Sequence, residues 1–274
     1  MSTSGTRHIL SLSGGKDSAA LAVYLRDRVP DVEYVFCDTE KELPETYEFL
    51  SRLEAYLGRP ITTLKHDGRG FDHWLTVYGN YLPSARMRWC TKHLKLQPFE
   101  QHVGSDEVIN YIGIRADEDR EGYISHKPNV KACYPFHEDG ITKEDVFRIL
   151  DEAGLGLPDY YKWRSRSGCY FCFFQQKIEW IGLLENHPHL FDLAKAHEKT
   201  DSRTGKNFTW QKRESLEELS KPERVLLIKQ EHRERVAAQA NRSNPARGGL
   251  LVHVFADLAD EECRLERPCL ICQT

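Results

Sequence analysis

The six residues from Ser13 to Ser18 combine the groups that a phosphate-binding loop needs. Gly14 and Gly15 let a ligand approach the backbone closely, Lys16 supplies a positive charge, and the two serines supply hydroxyl donors. An apolar run ends just before these residues, and helical spacing begins just after them. This order predicts a strand, a tight turn and a helix, so that backbone N–H groups and the positive end of a helix dipole point at one anion.

The spacing of this loop differs from that of the Walker A motif, which requires Gly-x-x-x-x-Gly-Lys-Ser/Thr. Ser-Gly-Gly-Lys-Asp-Ser instead resembles the PP-loop of the N-type ATP pyrophosphatases. In that family, the loop holds the pyrophosphate that leaves when ATP donates AMP. The alternative is a Gly-Gly turn with surface charges that arises by chance, and six matching residues between a strand pattern and a helix pattern favour the phosphate site.

Alternating strand and helix patterns predict the elements that position the loop. Apolar runs predict strands at residues 9–12, 34–37, 61–64 and 108–114, and helical spacing follows the first three. The fold class is therefore α/β: a doubly wound parallel sheet of PP-loop type with a mostly helical C-terminal extension. We expect a PP-loop domain with a cysteine cluster at residues 1–198 and a polar, mainly helical extension at residues 199–274.

In sheets of this kind, ligands bind beyond the carboxyl ends of the strands, where the strand order reverses. Ser13 and Asp38 both follow predicted strands. Asp38 is therefore placed to bind a ribose hydroxyl or an adenine amine. A purely turn-forming aspartate is the equal alternative.

Composition and net charge limit the kinds of partner that the chain can bind. The chain has 274 residues and a net charge of −4, so it has no overall basic field for nucleic acid, and such contacts must use local patches. No run approaches the roughly 20 apolar residues of a membrane span, and the first residues lack an apolar signal core. We expect a cytoplasmic protein whose eight cysteines are ligands, nucleophiles or core residues rather than disulfides.

Several separated motifs occur in an order that resembles the phosphoadenosine-phosphosulfate reductase family. They are Ser13–Ser18, Phe36–Glu40 with Glu45–Tyr47, Trp89–Thr91 with Leu94 and Lys95, Gly113–Arg115 with Glu118 and Arg120, and Gly168-Cys169-x-x-Cys172. Within the family, the stretch Arg88-Trp89-Cys90-Thr91-x-x-Leu94-Lys95 is similar to DndC-like proteins, the ATP pyrophosphatases of DNA phosphorothioation systems. The resemblance covers residues 7 to 185.

This resemblance implies that ATP, with Mg²⁺, is cleaved to AMP and pyrophosphate in support of sulfur transfer. The implied catalytic residues are Lys16, Asp17 and Arg115. The implied nucleotide-binding residues are Ser11, Ser13, Gly14, Gly15, Lys16, Asp17, Ser18, Asp38, Thr39, Gly113 and Arg120. The implied sulfur donor is a cysteine desulfurase, and the acceptor is a DNA phosphate or, second, a tRNA base.

Two other functions fit the same motifs. A sulfonucleotide reductase would use a C-terminal cysteine as its nucleophile and would not turn over ATP. A nucleotide-sensing module of a defence complex would bind ATP without cleaving it. Cys263, Cys269 and Cys272 offer the thiols that the reductase needs, although their surroundings do not match that family, and they are equally explained as idle thiols in a tail.

The remaining cysteines predict a metal site. Cys169-x-x-Cys172 places two thiolates within reach of one metal, and the resemblance adds Cys90. We choose Cys133 as the fourth ligand because it precedes the next structured unit. A 4Fe–4S cluster is expected, zinc accepts the same ligands, and unmetallated thiols are the alternative. Cys37 lies within a strand and is interpreted as a packed core thiol.

Two basic and aromatic stretches, residues 86–95 and 160–166, have the composition of a nucleic-acid contact. Their charges suit a phosphodiester backbone and their rings suit base stacking. The alternative, which we favour, is that both stretches surround the nucleotide and the cysteines of one site.

Overall fold

The computed structural model describes residues 5–66, 68–119, 127–200, 207–212 and 214–242. Its centre is a parallel five-stranded sheet with the strand order β3-β2-β1-β4-β5. The strands are β1 (Arg7–Leu12), β2 (Val32–Cys37), β3 (Ile61–Leu64), β4 (Val108–Tyr111) and β5 (Val130–Cys133). The order reverses beside β1, which pairs with β2 on one side and β4 on the other. The predicted doubly wound α/β fold is confirmed.

Helices cover the sheet and continue beyond it. They are α1 (Lys16–Leu25), α2 (Pro44–Leu57), α3 (Phe71–Val77), α4 (Trp89–Thr91), α5 (Gln97–Val103), α6 (Pro135–Glu138), α7 (Lys143–Glu152), α8 (Lys177–Asn186), α9 (Pro188–Ala196), α10 (Leu216–Leu219) and α11 (Pro222–Arg242). A π-helical turn at Lys92–Leu96 joins α4 to α5, and a 3₁₀ turn covers Asp159–Lys162. Strands β6 (Lys199–Thr200) and β7 (Asn207–Phe208) form an antiparallel pair.

Local signals place most helix ends correctly. Thr142 and Asp145 form the expected capping box at the start of α7. Gly58 ends α2 with a φ of 63°, and Gly154 follows α7 with a φ of 67°. Both angles lie in the left-handed region that favours glycine, so these residues stop their helices for the predicted reason.

The fourth strand is shorter than predicted. It ends at Tyr111, because the Ile114 N–H donates to the Ile112 carbonyl and turns the chain away from the sheet. This turn delivers Arg115 to the carboxyl edge. Strand β5 was not predicted, since Val-Lys-Ala-Cys is a short edge strand without a clear apolar run.

A hydrophobic cluster joins segments on both sides of residue 198. Trp210, Leu216 and Leu219 pack in the same cluster as Phe171 and Trp180. Glu198 also accepts hydrogen bonds from the backbone N–H groups of residues 210 and 216, at 2.9 and 2.7 Å. The division of the chain after residue 198 stays a prediction. Within the described ranges, no helix is both long enough and apolar enough to cross a membrane.

Candidate functional site

The Ser13–Ser18 loop lies at the carboxyl end of the central strand β1 and leads into α1. Gly14 has a φ of 75°, and a Cβ atom there would lie 2.4 Å from Thr46 Cγ2. A Cβ atom on Gly15 would lie 2.6 Å from Ser167 Oγ. The positive φ and the close contact together favour glycine at position 14, whereas a larger residue at position 15 would have to displace the Ser167 side chain.

The serines of the loop hold its shape. Ser18 Oγ accepts from the Ser13 N–H at 3.1 Å and donates to the Gly15 carbonyl at 3.2 Å. The Gly15 N–H donates in turn to Ser13 Oγ at 3.3 Å. These contacts lie inside the turn. Ser11, one residue before the end of β1, donates instead to Asn110 Oδ1 of β4 at 3.1 Å.

A buried charge network follows the loop. Lys16 Nζ lies 2.8 Å from Asp17 Oδ2, and Arg115 Nη1 lies 2.9 Å from Asp17 Oδ1. Arg115 also contacts Asp117 and Glu118, at 2.9 and 2.8 Å. The structure thus brings together the three predicted catalytic residues.

Opposing effects set the ionisation of this network. Burial alone would raise the pKa of Asp17, but the positive charges of Lys16 and Arg115 hold that pKa below its ordinary value. Burial alone would lower the pKa of Lys16, but the Asp17 carboxylate outweighs this effect, so the pKa of Lys16 lies above its ordinary value. Both groups stay charged at neutral pH.

Two tyrosines of the stretch 160–166, which we expected to surround the nucleotide, contact the loop directly. The Lys16 backbone N–H donates to the Tyr161 hydroxyl at 3.0 Å, and the Tyr160 hydroxyl donates to the Gly14 carbonyl at 2.9 Å. Lys16 Nζ also lies 5.8 Å from the centre of the Tyr161 ring. The aromatic pair within residues 160–166 was the available signal, but nothing local in the sequence relates it to a loop about 145 positions earlier.

Asp38 holds a turn at the end of β2. Its Oδ1 accepts from the Glu40 N–H and from the Tyr47 hydroxyl, both at 2.8 Å, and its Oδ2 lies 3.2 Å from Lys65 Nζ. Glu40 adopts a φ of 60° in this turn. These contacts support the turn-forming interpretation, and nucleotide binding by Asp38 stays a prediction. Gly113 lies in the turn after β4, and Arg120 lies outside the described residues.

Cys169 lies beside the end of β2, close to Thr39. Its Sγ is 3.1 Å from Thr39 Oγ1 and 3.7 Å from Glu42 Oε1, to which it donates. Thr39 Oγ1 donates to the same carboxylate oxygen at 2.9 Å. Burial, followed by the negative charge of Glu42, raises the pKa of the Cys169 thiol well above its ordinary value.

The four predicted metal ligands do not meet at one point. Cys90 and Cys169 pack against one hydrophobic cluster, whereas Cys133 packs against another, with its Sγ 4.0 Å from Glu138 Oε1. Among the residues that the structure describes, no three His, Cys, Asp or Glu side chains are grouped to hold a metal ion. Thiols are suitable donors for iron or zinc, and in this structure the Cys169 thiol contacts Thr39 and Glu42. The four-cysteine set stays a prediction.

Four other cysteines remain, one in the sheet and three near the C-terminus. Cys37 is buried as predicted, and its thiol donates to the Lys95 carbonyl at 3.5 Å. Cys263, Cys269 and Cys272 lie outside the described residues.

Comparison with known proteins finds one matching family model and several distant relatives. The family model "Phosphoadenosine phosphosulfate reductase domain" matches residues 7–134. An uncharacterized protein of Methanocaldococcus jannaschii is 27% identical in an alignment of 194 positions that covers 66% of this chain and 45% of the relative. The tRNA-specific 2-thiouridylase MnmA of Geobacillus thermodenitrificans is 27% identical in an alignment of 182 positions that covers 55% of this chain and 49% of the relative.

One solved structure is also similar, the phosphoadenylyl-sulfate reductase of Candida auris in complex with phosphate. It has 14% sequence identity and a TM-score of 0.49, and the match covers 61% of this chain and 83% of that chain. The chain spans less than half the length of the first curated relatives that it matches, 45% and 40% for two Methanocaldococcus proteins.

Proposed function

We propose that the chain is an ATP pyrophosphatase that adenylates an acceptor oxygen and supports sulfur transfer, and the match of residues 7–134 to the phosphoadenosine phosphosulfate reductase domain model supports this proposal. One observation carries it. A loop with two closely packed glycines and a buried lysine lies at the carboxyl end of the central strand, where the strand order reverses. That position is where α/β sheets of this kind bind their ligands.

The proposed reaction has two displacements. An acceptor oxygen attacks the α-phosphorus of ATP, the bond from that phosphorus to the bridging oxygen breaks, and pyrophosphate leaves. A sulfur nucleophile at the oxidation level of sulfide then attacks the activated atom, and AMP departs with the former acceptor oxygen. Each step forms one bond and breaks one.

The residues of the loop act on the leaving group. Lys16 places a positive charge beside the pyrophosphate, and Asp17 keeps both Lys16 and Arg115 in place through its two carboxylate oxygens. Mg²⁺ would enter with the nucleotide phosphates and neutralise charge there.

Two acceptors are to be compared. A tRNA base is supported by the Geobacillus relative, which is named a tRNA-specific 2-thiouridylase. A DNA phosphate is the acceptor that the similarity to DndC-like proteins implies. We propose a cysteine desulfurase as the sulfur donor, with a thiol reductant that releases sulfide from its persulfide.

The proposal is tested by measuring pyrophosphate and AMP after incubation with ATP, Mg²⁺, sulfide and either tRNA or DNA. We expect equal amounts of the two products with one acceptor. Lys16→Ala should abolish both products, while Lys131→Ala, which removes an exposed lysine on β5, should change neither. Undiminished pyrophosphate release by a folded Lys16→Ala variant would refute the role of the loop.

A sulfonucleotide reductase is the second candidate, and the description of the matching family favours it. It would release sulfite from an adenylylated sulfate in the presence of a thiol, without consuming ATP. Measuring sulfite and pyrophosphate on the same preparation separates the two activities. If nucleotide binds and neither product forms, the nucleotide-sensing module replaces both enzymes.

A further inference from the structure

The phosphate-binding loop is covered by a segment from the second half of the chain. We name residues 157–167 the strap; it runs between Gly156 and Gly168, whose φ angles of 59° and 127° favour glycine. Ser13, Lys16, Asp17 and Ser18 are each at most 7% exposed beneath it. A nucleotide phosphate therefore cannot reach the loop while the strap keeps this position.

Tyr161 occupies the point of the loop that an anion needs most. Its hydroxyl oxygen accepts the hydrogen bond from the Lys16 backbone N–H at 3.0 Å. This N–H belongs to the first residue of α1, where the amide has no partner within the helix and the helix dipole favours negative charge. The tyrosine oxygen thus takes the place of a phosphate oxygen.

One end of the strap is firmly attached. The buried Glu179 carboxylate of α8 accepts from both the backbone N–H and the hydroxyl of Ser165. Trp163 packs against Gly182 of α8, where a Cβ atom would lie 2.5 Å from the indole ring. The 3₁₀ turn Asp159–Lys162, which carries Tyr161, lies outside this attached end, and its hydrogen bonds with the loop are those of the Tyr160 and Tyr161 hydroxyls.

We propose that Tyr161 is the gate of the phosphate site: its hydroxyl competes with the nucleotide for the Lys16 amide, and binding displaces the 3₁₀ turn. The proposal rests on the proposed function, because it assumes that phosphate is the ligand of the loop. The exchange is favourable since a phosphate oxygen accepts a stronger, charge-assisted hydrogen bond than a neutral hydroxyl does.

Tyr161→Phe isolates the competing group. The substitution keeps the ring beside Lys16 and removes only the hydroxyl, so the amide is free before the nucleotide arrives. Losing one neutral hydrogen bond from the closed state should tighten binding about fivefold. If the hydroxyl were instead a phosphate ligand or a simple structural contact, the same substitution would weaken binding. Tighter nucleotide binding by Tyr161→Phe therefore supports the gate, and weaker binding supports one of the other two roles.

The first measurement is calorimetric titration of the full chain with the α,β-methylene analogue of ATP and Mg²⁺. We expect Tyr161→Phe to bind about five times more tightly than the wild type. Tyr24→Phe should bind like the wild type, because it removes a hydroxyl that donates to Asp139 at 2.6 Å, away from the loop. Equal or weaker binding by Tyr161→Phe overturns the gate.

The second measurement is hydrogen–deuterium exchange of the wild type with and without the analogue. We expect faster exchange in the peptide around residues 159–162 and slower exchange around residues 13–18. Slower exchange in both peptides would show that the turn stays closed and would overturn the gate.

Lys16→Ala separates the two proposals. Weaker binding by Lys16→Ala, together with unchanged binding by Tyr161→Phe, retains the phosphate site and rejects only the gate. Wild-type binding by Lys16→Ala rejects both, as does the absence of binding by every variant.

Discussion

Arg115 Nη1 lies 2.9 Å from Asp17 Oδ1, and this contact joins two buried side chains that are 98 positions apart in the sequence. Asp17 is also held by Lys16, so the three residues form one unit of alternating charge. Burial makes each member depend on the others, because removing one charge leaves an uncompensated charge in a low-dielectric environment. The turn after β4 carries Arg115 to the loop and thereby completes this unit.

Replacing Arg115 with methionine should therefore be costly. We expect the free energy of unfolding to fall by about 3–5 kcal/mol, because Asp17 loses one of its two cations in a buried position. Arg148→Met is the matched control: Arg148 also contacts two carboxylates, but it is 57% exposed, and its loss should cost at most about 1 kcal/mol. Urea denaturation of both variants measures the difference, and similar costs would contradict the buried unit.

The close packing of Gly14 can be tested by a cycle of substitutions. Gly14→Ala places a methyl group against Thr46 Cγ2 and should destabilise the protein by about 2–4 kcal/mol, from backbone strain and overpacking together. Gly58→Ala has a similar φ but open space around its Cα, so it should show the strain alone. Thr46→Ser removes the clashing methyl and should recover part of the loss in the double variant. Additive losses in that cycle would rule out the clash.

The elements next to the phosphate loop could be predicted because their signals are local. The glycines, the apolar run of β1 and the capping box of α7 each act within a few residues. The composition of residues 160–166 favoured a place around the nucleotide, but it could not give the contact of Tyr161 with Lys16, which spans 145 positions and depends on how α8 holds the strap. The motif order indicated the family, and the three-dimensional structure supplied the individual contacts between the strap and the loop.

The cysteines show the same limit. The Cys169-x-x-Cys172 spacing predicts two neighbouring thiols, but it does not show that Glu42 accepts the thiol hydrogen of Cys169. Cys133 was chosen by its place in the sequence. It lies at the end of an edge strand that had no recognisable pattern, so its surroundings could not be inferred.

Cys133→Ser tests the predicted metal set. Because Cys133 packs in a different hydrophobic cluster from Cys90 and Cys169, we expect the iron and zinc content per chain to equal that of the wild type. The measurement is elemental analysis of protein purified without oxygen, with Cys169→Ser in parallel. A lower metal content in Cys133→Ser would support the predicted role of Cys133 as a ligand.

The capping box of α7 should make stability depend on pH. The Thr142 backbone N–H, with Arg148 and the Thr142 hydroxyl, lowers the pKa of Asp145 from 3.8 to about 2. A depressed pKa in the folded state stabilises the protein above the ordinary pKa, and this contribution is lost as the pH falls from 3.8 towards 2. Asp145→Asn should therefore lower the melting temperature at pH 7 and have little effect near pH 2. If the difference in melting temperature between the two proteins did not change with pH, the effect would come from the shape of the side chain rather than from its charge.

Trp210 tests whether the segment after residue 198 is part of the main core. Its ring lies 5.0 Å from Phe171 and 6.1 Å from Trp180, and its indole N–H donates to the Ala194 carbonyl at 2.9 Å. Trp210→Ala should cost about 3–5 kcal/mol, because it opens a cavity between segments that are distant in sequence. Leu226→Ala is the control, since that side chain is 68% exposed and its removal opens no cavity. A single cooperative transition at lower denaturant for Trp210→Ala indicates one folding unit, whereas two separate transitions would indicate that the extension folds by itself.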